Sequence, residues 1–264
     1  MADIINYQNR VVFFFDILGF RDFLETNQKE KGSDCTTIFD VFNFINNFYQ
    51  DEIDDKYSET KEITFFSDSV IISFVEDEPD QVFKTVADIQ ILLVNLVLKG
   101  IVMRGAITYG QLFHNEKFLF GPALVDAYLI ETKKAKYPRI ICESSIIVLS
   151  QKGKHLDDAK QDLETFYEIV KPDNDEYWYI DYVEGIESLF DDNYGHIDYL
   201  LILRKLIVAN IKSAATDDIK QKYLWMKEKF NDTVGQILEN AKTGAIKDYT
   251  VLKYIEQLKL IDEQ

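Results

Sequence analysis

Residues 11–15, Val-Val-Phe-Phe-Phe, are apolar without a break and end on Asp16, after which Ile17-Leu18-Gly19-Phe20 is apolar again. A short run of β-branched and aromatic residues reads as a buried strand. A strand of this kind fixes a core that the rest of the chain must cover. It also leaves a carboxylate at the strand end, where an ionised group is costly unless a positive charge meets it. What meets Asp16 is the question that the remaining residues have to answer.

The elements that follow alternate in type. From Phe20 the spacing predicts a helix, with Phe20, Phe23 and Leu24 on one side, and Thr36 to Tyr49 reads as a second helix with an apolar stripe of Ile38, Val41, Phe42, Ile45 and Phe48. Residues 61–77 carry two β-rich runs around Ser67-Asp68-Ser69, a hairpin with its turn near Asp68. A long helix follows from Gln81 to Lys99, with Val82, Val86, Ile89, Leu93 and Leu96 on one face and Gly100 as its stop. Residues 101–114 read as a strand bending near Gly110, 120–135 as a helix with Pro122 in its first turn, and "RIICE" as a strand. Residues 163–183 read as two strands around a polar turn.

The order strand, helix, helix, strand, strand, helix, strand predicts an α+β fold with a ferredoxin-like βαββαβ core. Composition changes near Asp191, and the pattern is helical from there on, over Ile197–Ala215, Asp217–Asn240 and Lys247–Leu260. The expected organisation is a domain over residues 1–190 and a helical extension over 191–264, packed on the core or serving as a dimer arm. Trp225 and Tyr223 read as packing anchors of that extension.

Charge and composition narrow the function. The chain of 264 residues has 46 acidic against 29 basic residues, a net charge of −17. So acidic a surface argues against nucleic-acid binding and against anionic membranes. No apolar run reaches the length of a membrane span and the first residues show no export signal, so the expected location is cytoplasmic. Cys35 and Cys142 form no motif, and His114, His155 and His196 have no metal-ligand spacing. An anionic substrate would need a metal or a few local cations to overcome the general field.

Those cations are suggested by the topology. In a βαββαβ sheet the first strand neighbours the hairpin, so Asp16 and Asp68 can reach one point. Two carboxylates there repel unless a cation lies between them. Mg²⁺ or Mn²⁺ bound with a triphosphate would supply it. Gly19 and Phe20 open a helix whose free amides suit phosphate. Arg104, a cation inside a β-run, calls for an anionic partner such as a triphosphate.

The stretches "FFDILGF", "FFSDSVIISF", "VMRGAITYG" and "FGPALVDAY" stand in an order and spacing that resemble the class III nucleotidyl cyclase catalytic domain, over roughly residues 10–183. Within that family "DILGF", "RGAITYGQ" and "FGPALVDAYLIE" with "AKYPRI" look most like the bacterial Pycsar pyrimidine cyclases, which make cyclic UMP or cyclic CMP as an anti-phage signal. The resemblance implies that Asp16, Asp68 and the backbone carbonyl of Ile17 hold two ions of Mn²⁺ or Mg²⁺. It implies that Gly19, Phe20, Arg104 and, more loosely, Lys171 bind the phosphates, and that a homodimer carries its sites at the interface.

The departures from the family pattern matter as much. Where ATP-using relatives have a purine-reading lysine and an aspartate or threonine, this chain has Thr64 and Phe118. That favours UTP or CTP, with Phe66 and Phe118 filling space beside a smaller base. The family's transition-state asparagine and arginine fall at Val125 and Leu129, which leaves the role to another cation, such as Arg139 or Lys133, or leaves the chain without cyclase chemistry. The expected function is therefore a metal-dependent pyrimidine nucleotidyl cyclase. The alternatives are a degenerate domain that binds a nucleotide or a partner, and a purine cyclase.

Overall fold

The computed structural model describes residues 5–51, 60–75, 81–150 and 164–262. His155 and the acidic stretch 76–80 lie outside these. The elements are β1 (Gln8–Ile17), α1 (Phe20–Lys31), α2 (Thr36–Asp51), β2 (Glu62–Phe66), β3 (Ser69–Val75), α3 (Gln81–Leu98), β4 (Met103–His114), β5 (Leu119–Phe120), α4 (Pro122–Lys133), β6 (Ile140–Cys142), α5 (Ser144–Leu149), β7 (Val170–Pro172) and β8 (Trp178–Ile180). Three further helices follow: α6 (Asn193–Ser213), α7 (Asp217–Lys242) and α8 (Tyr249–Ile255). The fold is α+β, with the βαββαβ order in its first half and a helical C-terminal region.

One mostly antiparallel, eight-stranded sheet has the order β2-β3-β1-β4-β6-β8-β7, with β5 paired to the end of β4. The run of apolar residues in β1 is explained by its central place. It pairs with β3 on one side and β4 on the other over almost its whole length. Directly paired antiparallel residues point to the same face. Phe13 and Phe15 therefore share one face with Phe74, and their rings meet at about 6 Å. Arg10, Val12, Phe14 and Asp16 share the opposite face with Arg104, Ala106, Thr108 and Leu112.

That second face is covered by α4. Val12, Phe14, Ile71 and Leu112 form a buried cluster with Ala123 and Ala127 of the helix. Small residues let the helix sit close: the Thr108 hydroxyl donates to the Ala123 carbonyl at 3.0 Å. A Cβ on Gly110 would touch Ala123 at 3.4 Å. The ladder with β1 runs unbroken past Gly110, which pairs with Arg10. The glycine expected to bend the strand instead makes room for α4. Gly105 is still tighter, since a Cβ there would lie 2.1 Å from the Phe14 carbonyl oxygen.

One reading of the sequence needs correction. Residues 164–169 are helical, so the first of the two strands expected over 163–183 shrinks to Val170–Pro172. The segment Leu163-Glu-Thr-Phe-Tyr-Glu-Ile-Val170 alternates poorly and places Phe166, Ile169 and Val170 at helical spacing, all buried.

The chain divides into two compact units, Met1–Leu92 with Met103–Ile180, and Leu93–Val102 with Asp181–Gln264. The second is built on α6, α7 and α8. Asp192, Thr216 and Asp248 cap their N-termini through side-chain oxygens. Tyr223, Trp225, Met226, Phe230 and Val234 of α7 are buried. The Tyr199 hydroxyl donates to the Tyr182 carbonyl at 2.6 Å. Among the described residues α3 alone is long and apolar enough to cross a membrane, and most of it is buried in the manner of a core helix.

Candidate active site

Asp16 stands at the end of β1, opposite Ser69 of β3 and Arg104 of β4. The turn joining β2 to β3 has only two residues, Ser67 and Asp68, and Ser67 adopts φ 56° to close it. The Ile17 amide donates to the Asp68 carbonyl at 3.1 Å, which fastens the turn to the end of β1. Asp16 and Asp68 are thereby held close enough that each carboxylate feels the charge of the other. The convergence expected from the topology is present.

What meets Asp16 within the chain is Arg104. Its Nε and Nη2 donate to one carboxylate oxygen of Asp16 at 3.2 and 3.1 Å. The same Nη2 lies 2.7 Å from Oε1 of Glu131, a charge contact whose angle is too poor for a hydrogen bond. Glu131 was not singled out from the sequence. It lies on the buried stripe of α4 with Ala123 and Ala127, four and eight residues apart. A carboxylate continuing a stripe of alanines at helical spacing was the available signal.

The electrostatics of this corner are unbalanced. Two carboxylates, Asp16 and Glu131, meet one guanidinium, and a third, Asp68, bears on Asp16. Burial first, then the neighbouring charge of Asp68 and, less strongly, that of Glu131 raise the Asp16 pKa, Arg104 lowers it, and the balance is about 7. Two facing carboxylates repel each other, and a divalent cation between them would relieve that repulsion.

The residues present fit Mg²⁺ or Mn²⁺. The donors are carboxylate oxygens, and Mg²⁺ is commonly held by one or two carboxylates plus substrate phosphates. Among the described residues no group of three or more His, Cys, Asp or Glu side chains is arranged to hold a metal by itself. The set suits an ion that arrives with phosphate oxygens better than a permanently caged one.

Gly19 precedes α1 with φ 76°, and a Cβ there would meet nothing within 4 Å. Its glycine is required by the backbone angle, not by crowding. No side chain caps the first turn of α1, although Asp22 lies within it. The amides of this turn, beginning at Phe20, start three residues beyond Ile17, the last residue of β1.

Of the other anticipated residues, Phe66 stands beside the acidic pair, paired with Ser69 in the row that also holds Asp16. Thr64 of β2 is hydrogen-bonded to Nε2 of His114 at 2.8 Å, and Nδ1 of His114 meets the Ser73 hydroxyl at the same distance. The Arg10 Nε donates to that hydroxyl at 2.8 Å. Burial and the nearby Arg10 charge lower the His114 pKa to about 4, so its imidazole is neutral and engaged at both nitrogens. Phe66 and Phe118 are 75% and 61% exposed. Lys171 pairs with Tyr179 across β7 and β8. Arg139 is wholly buried and ion-paired to Asp173 and Asp175, so it is engaged elsewhere and does not replace the missing arginine. Lys133 is exposed at the end of α4.

No protein-family model matches the chain, and no curated protein matches it. Several solved structures do. The adenylyl cyclase CyaB from P. aeruginosa is similar over 54% of this chain and 80% of its own, at 20% identity and a TM-score of 0.36. A bacterial light-regulated adenylyl cyclase is similar over 76% of this chain and 100% of its own, at 15% identity and a TM-score of 0.43. The catalytic core of a rhodopsin-guanylyl cyclase with converted specificity, in complex with ATPαS, is similar over 67% and 97%, at 15% identity and a TM-score of 0.42. Likenesses this distant leave the geometry of the acidic corner as the ground for a functional reading.

Proposed function

We propose that the chain is a metal-dependent nucleotidyl cyclase that converts a pyrimidine nucleoside triphosphate, UTP or CTP, to the 3′,5′-cyclic monophosphate and pyrophosphate. The observation that supports it is the acidic pair. Asp16 and Asp68 are brought together by a two-residue turn and a backbone hydrogen bond, against their mutual repulsion. A fold gains no stability from facing carboxylates, so the arrangement is best explained by a cation that comes with the substrate.

In this reading Asp16 and Asp68 hold the divalent ions, Mn²⁺ or Mg²⁺, with the Ile17 carbonyl as a third oxygen. When bound, such ions acidify the ribose 3′-hydroxyl and neutralise the leaving phosphates. The 3′-oxygen bonds to the α-phosphorus, the bond from that phosphorus to the β-bridging oxygen breaks, and the hydroxyl proton is released. The first-turn amides of α1, at Gly19 and Phe20, and the guanidinium of Arg104 orient the polyphosphate. Lys171 is assigned to the same group on the resemblance alone. Positioning and charge supply the rate.

The pyrimidine preference rests on Thr64 and Phe118 standing where purine-reading side chains would be. The Thr64 hydroxyl is engaged by His114, while Phe66 and Phe118 offer exposed rings. A second copy of the chain is the proposed partner, because Phe118, Val125 and Tyr128 are each more than half exposed on one side of the sheet and α4. The anti-phage signalling role follows the resemblance to the Pycsar cyclases.

A binding-only domain is the second reading, favoured by exposed Val125 and Leu129 where the resemblance implies asparagine and arginine. The test is to offer ATP, GTP, CTP and UTP separately with Mn²⁺ and to identify products by mass spectrometry. Cyclic UMP or cyclic CMP from the parent, and none from Asp68→Asn, supports the proposal. Cyclic AMP or GMP would replace the base. Nucleotide binding without any product would establish the second reading.

A further inference from the structure

Arg104 occupies a position that a substrate-bound cation would also claim. Its guanidinium already neutralises Asp16, with two donors on one oxygen at 3.1 and 3.2 Å. An ion held by Asp16 and Asp68 would repel that guanidinium and compete for the same oxygen. The arginine cannot simply leave, because it sits in a strand and its side chain is only 24% exposed. It needs a second anionic place within reach.

That place is Glu131. Its Oε1 lies 2.7 Å from Nη2 of Arg104 and has no hydrogen-bond donor of its own. Its other oxygen accepts from the Thr132 hydroxyl at 3.0 Å. The side chain is 5% exposed. Burying a carboxylate so deeply with one incomplete partner is unfavourable unless the partner can complete the contact in another state. α4 is pinned to β4 by the Thr108–Ala123 hydrogen bond, so Glu131 is held at a fixed place over the strand.

We propose that Glu131 is the positioning residue for Arg104, which it takes over when a divalent cation displaces the guanidinium from Asp16. Arg104 is then the internal counter-ion of the acidic pair in the free protein and a phosphate-facing cation, steadied by Glu131, in the loaded one. The inference rests on the reading of Asp16 and Asp68 as the cation site and names the residue that makes loading reversible. Without Glu131, the guanidinium has Asp16 as its only anchor and competes harder with the ion.

The test is a double-mutant cycle read by Mn²⁺ affinity in the absence of nucleotide, by calorimetry and by the loss of the free-ion electron paramagnetic signal. Glu131→Gln in the parent should weaken Mn²⁺ binding about tenfold, and Arg104→Met should strengthen it. In the Arg104→Met background Glu131→Gln should change affinity by less than about twofold, because the coupling between the two runs through the arginine. Glu131→Asp, which keeps the charge and shortens the reach, should fall between. An equal loss in both backgrounds would show that Glu131 acts only as a general negative charge and would overturn the inference. So would no loss in either. If the parent binds Mn²⁺ only with a non-hydrolysable triphosphate analogue present, the cycle is read in its presence with the same expected coupling, and if it binds none there either, the cation site itself is wrong, a result distinguishable from the other two. Should Glu131→Gln fail to fold, the Glu131→Asp comparison in the two backgrounds carries the same decision.

Discussion

The sheet contains two arginine–carboxylate clusters that differ in one respect. Arg139 is wholly buried and meets two aspartates, Asp173 and Asp175, at the turn between β7 and β8. The ring of Tyr137 also lies beneath its guanidinium, at 5.2 Å. Arg104 is a quarter exposed and meets Asp16 and Glu131, with the charge of Asp68 also acting on Asp16. The first cluster is closed around its cation. The second has one carboxylate too many and lies at the open end of two strands. A closed cluster staples a turn, whereas an open cluster with surplus negative charge is a place for something to bind.

The comparison can be broken most severely by removing the surplus carboxylates. Asp16→Asn or Asp68→Asn should lower turnover by about a thousandfold or more, the several kcal/mol a lost metal site represents, while the fold persists. Product analysis with circular dichroism on the same samples checks both halves. Arg139→Met should do the opposite. It removes the buried guanidinium that Asp173 and Asp175 share and should cost about 3–5 kcal/mol of stability, measured by denaturant unfolding. If Arg139→Met instead folds well and abolishes turnover, the closed cluster is part of the site and the contrast fails.

Smaller effects sharpen the same contrast. Arg104→Met should reduce triphosphate affinity about ten- to a hundredfold, as the loss of charge-assisted contacts would. Unchanged affinity would remove Arg104 from the site. The smallest effect concerns pH. Asp16 binds its proton more tightly folded, with a pKa of about 7 against the ordinary 3.8. The folded state therefore holds more protons between those values, and stability should fall as pH rises through that window. Asp16→Asn should remove that slope and stabilise the metal-free protein at pH 8 by roughly 1–2 kcal/mol, after allowance for solvent screening. Thermal unfolding at pH 4, 6 and 8 reads the slope directly.

Much of this was legible in the residues. The Val-Val-Phe-Phe-Phe run fixed β1 as a central strand, because only a strand paired on both sides and covered on both faces can bury five such residues in succession. Ser67-Asp68 between two β-rich runs marked the tight turn. The order of elements then brought Asp16 and Asp68 to one point. Arg104 was legible as a cation in need of an anion, but the anions that meet it in the chain, Asp16 and Glu131, were not. Pairing across a sheet and over a helix depends on register and on how closely α4 sits, which Gly110, Ala123 and Ala127 decide together. Arg139 was misjudged for a similar reason. Its partners lie 34 and 36 residues further along, in a turn whose flanking strands are only three residues long. Helical residues 164–169 were missed because aromatic and β-branched residues favour both readings in so short a segment.

The most direct measurement is a crystal structure of the protein with Mn²⁺ and a non-hydrolysable pyrimidine triphosphate analogue, using manganese anomalous scattering to locate the ion. The account predicts an anomalous peak between the carboxylates of Asp16 and Asp68, with Arg104 drawn off Asp16 and still in contact with Glu131. A map with no peak there, and Arg104 still seated on Asp16, would contradict it.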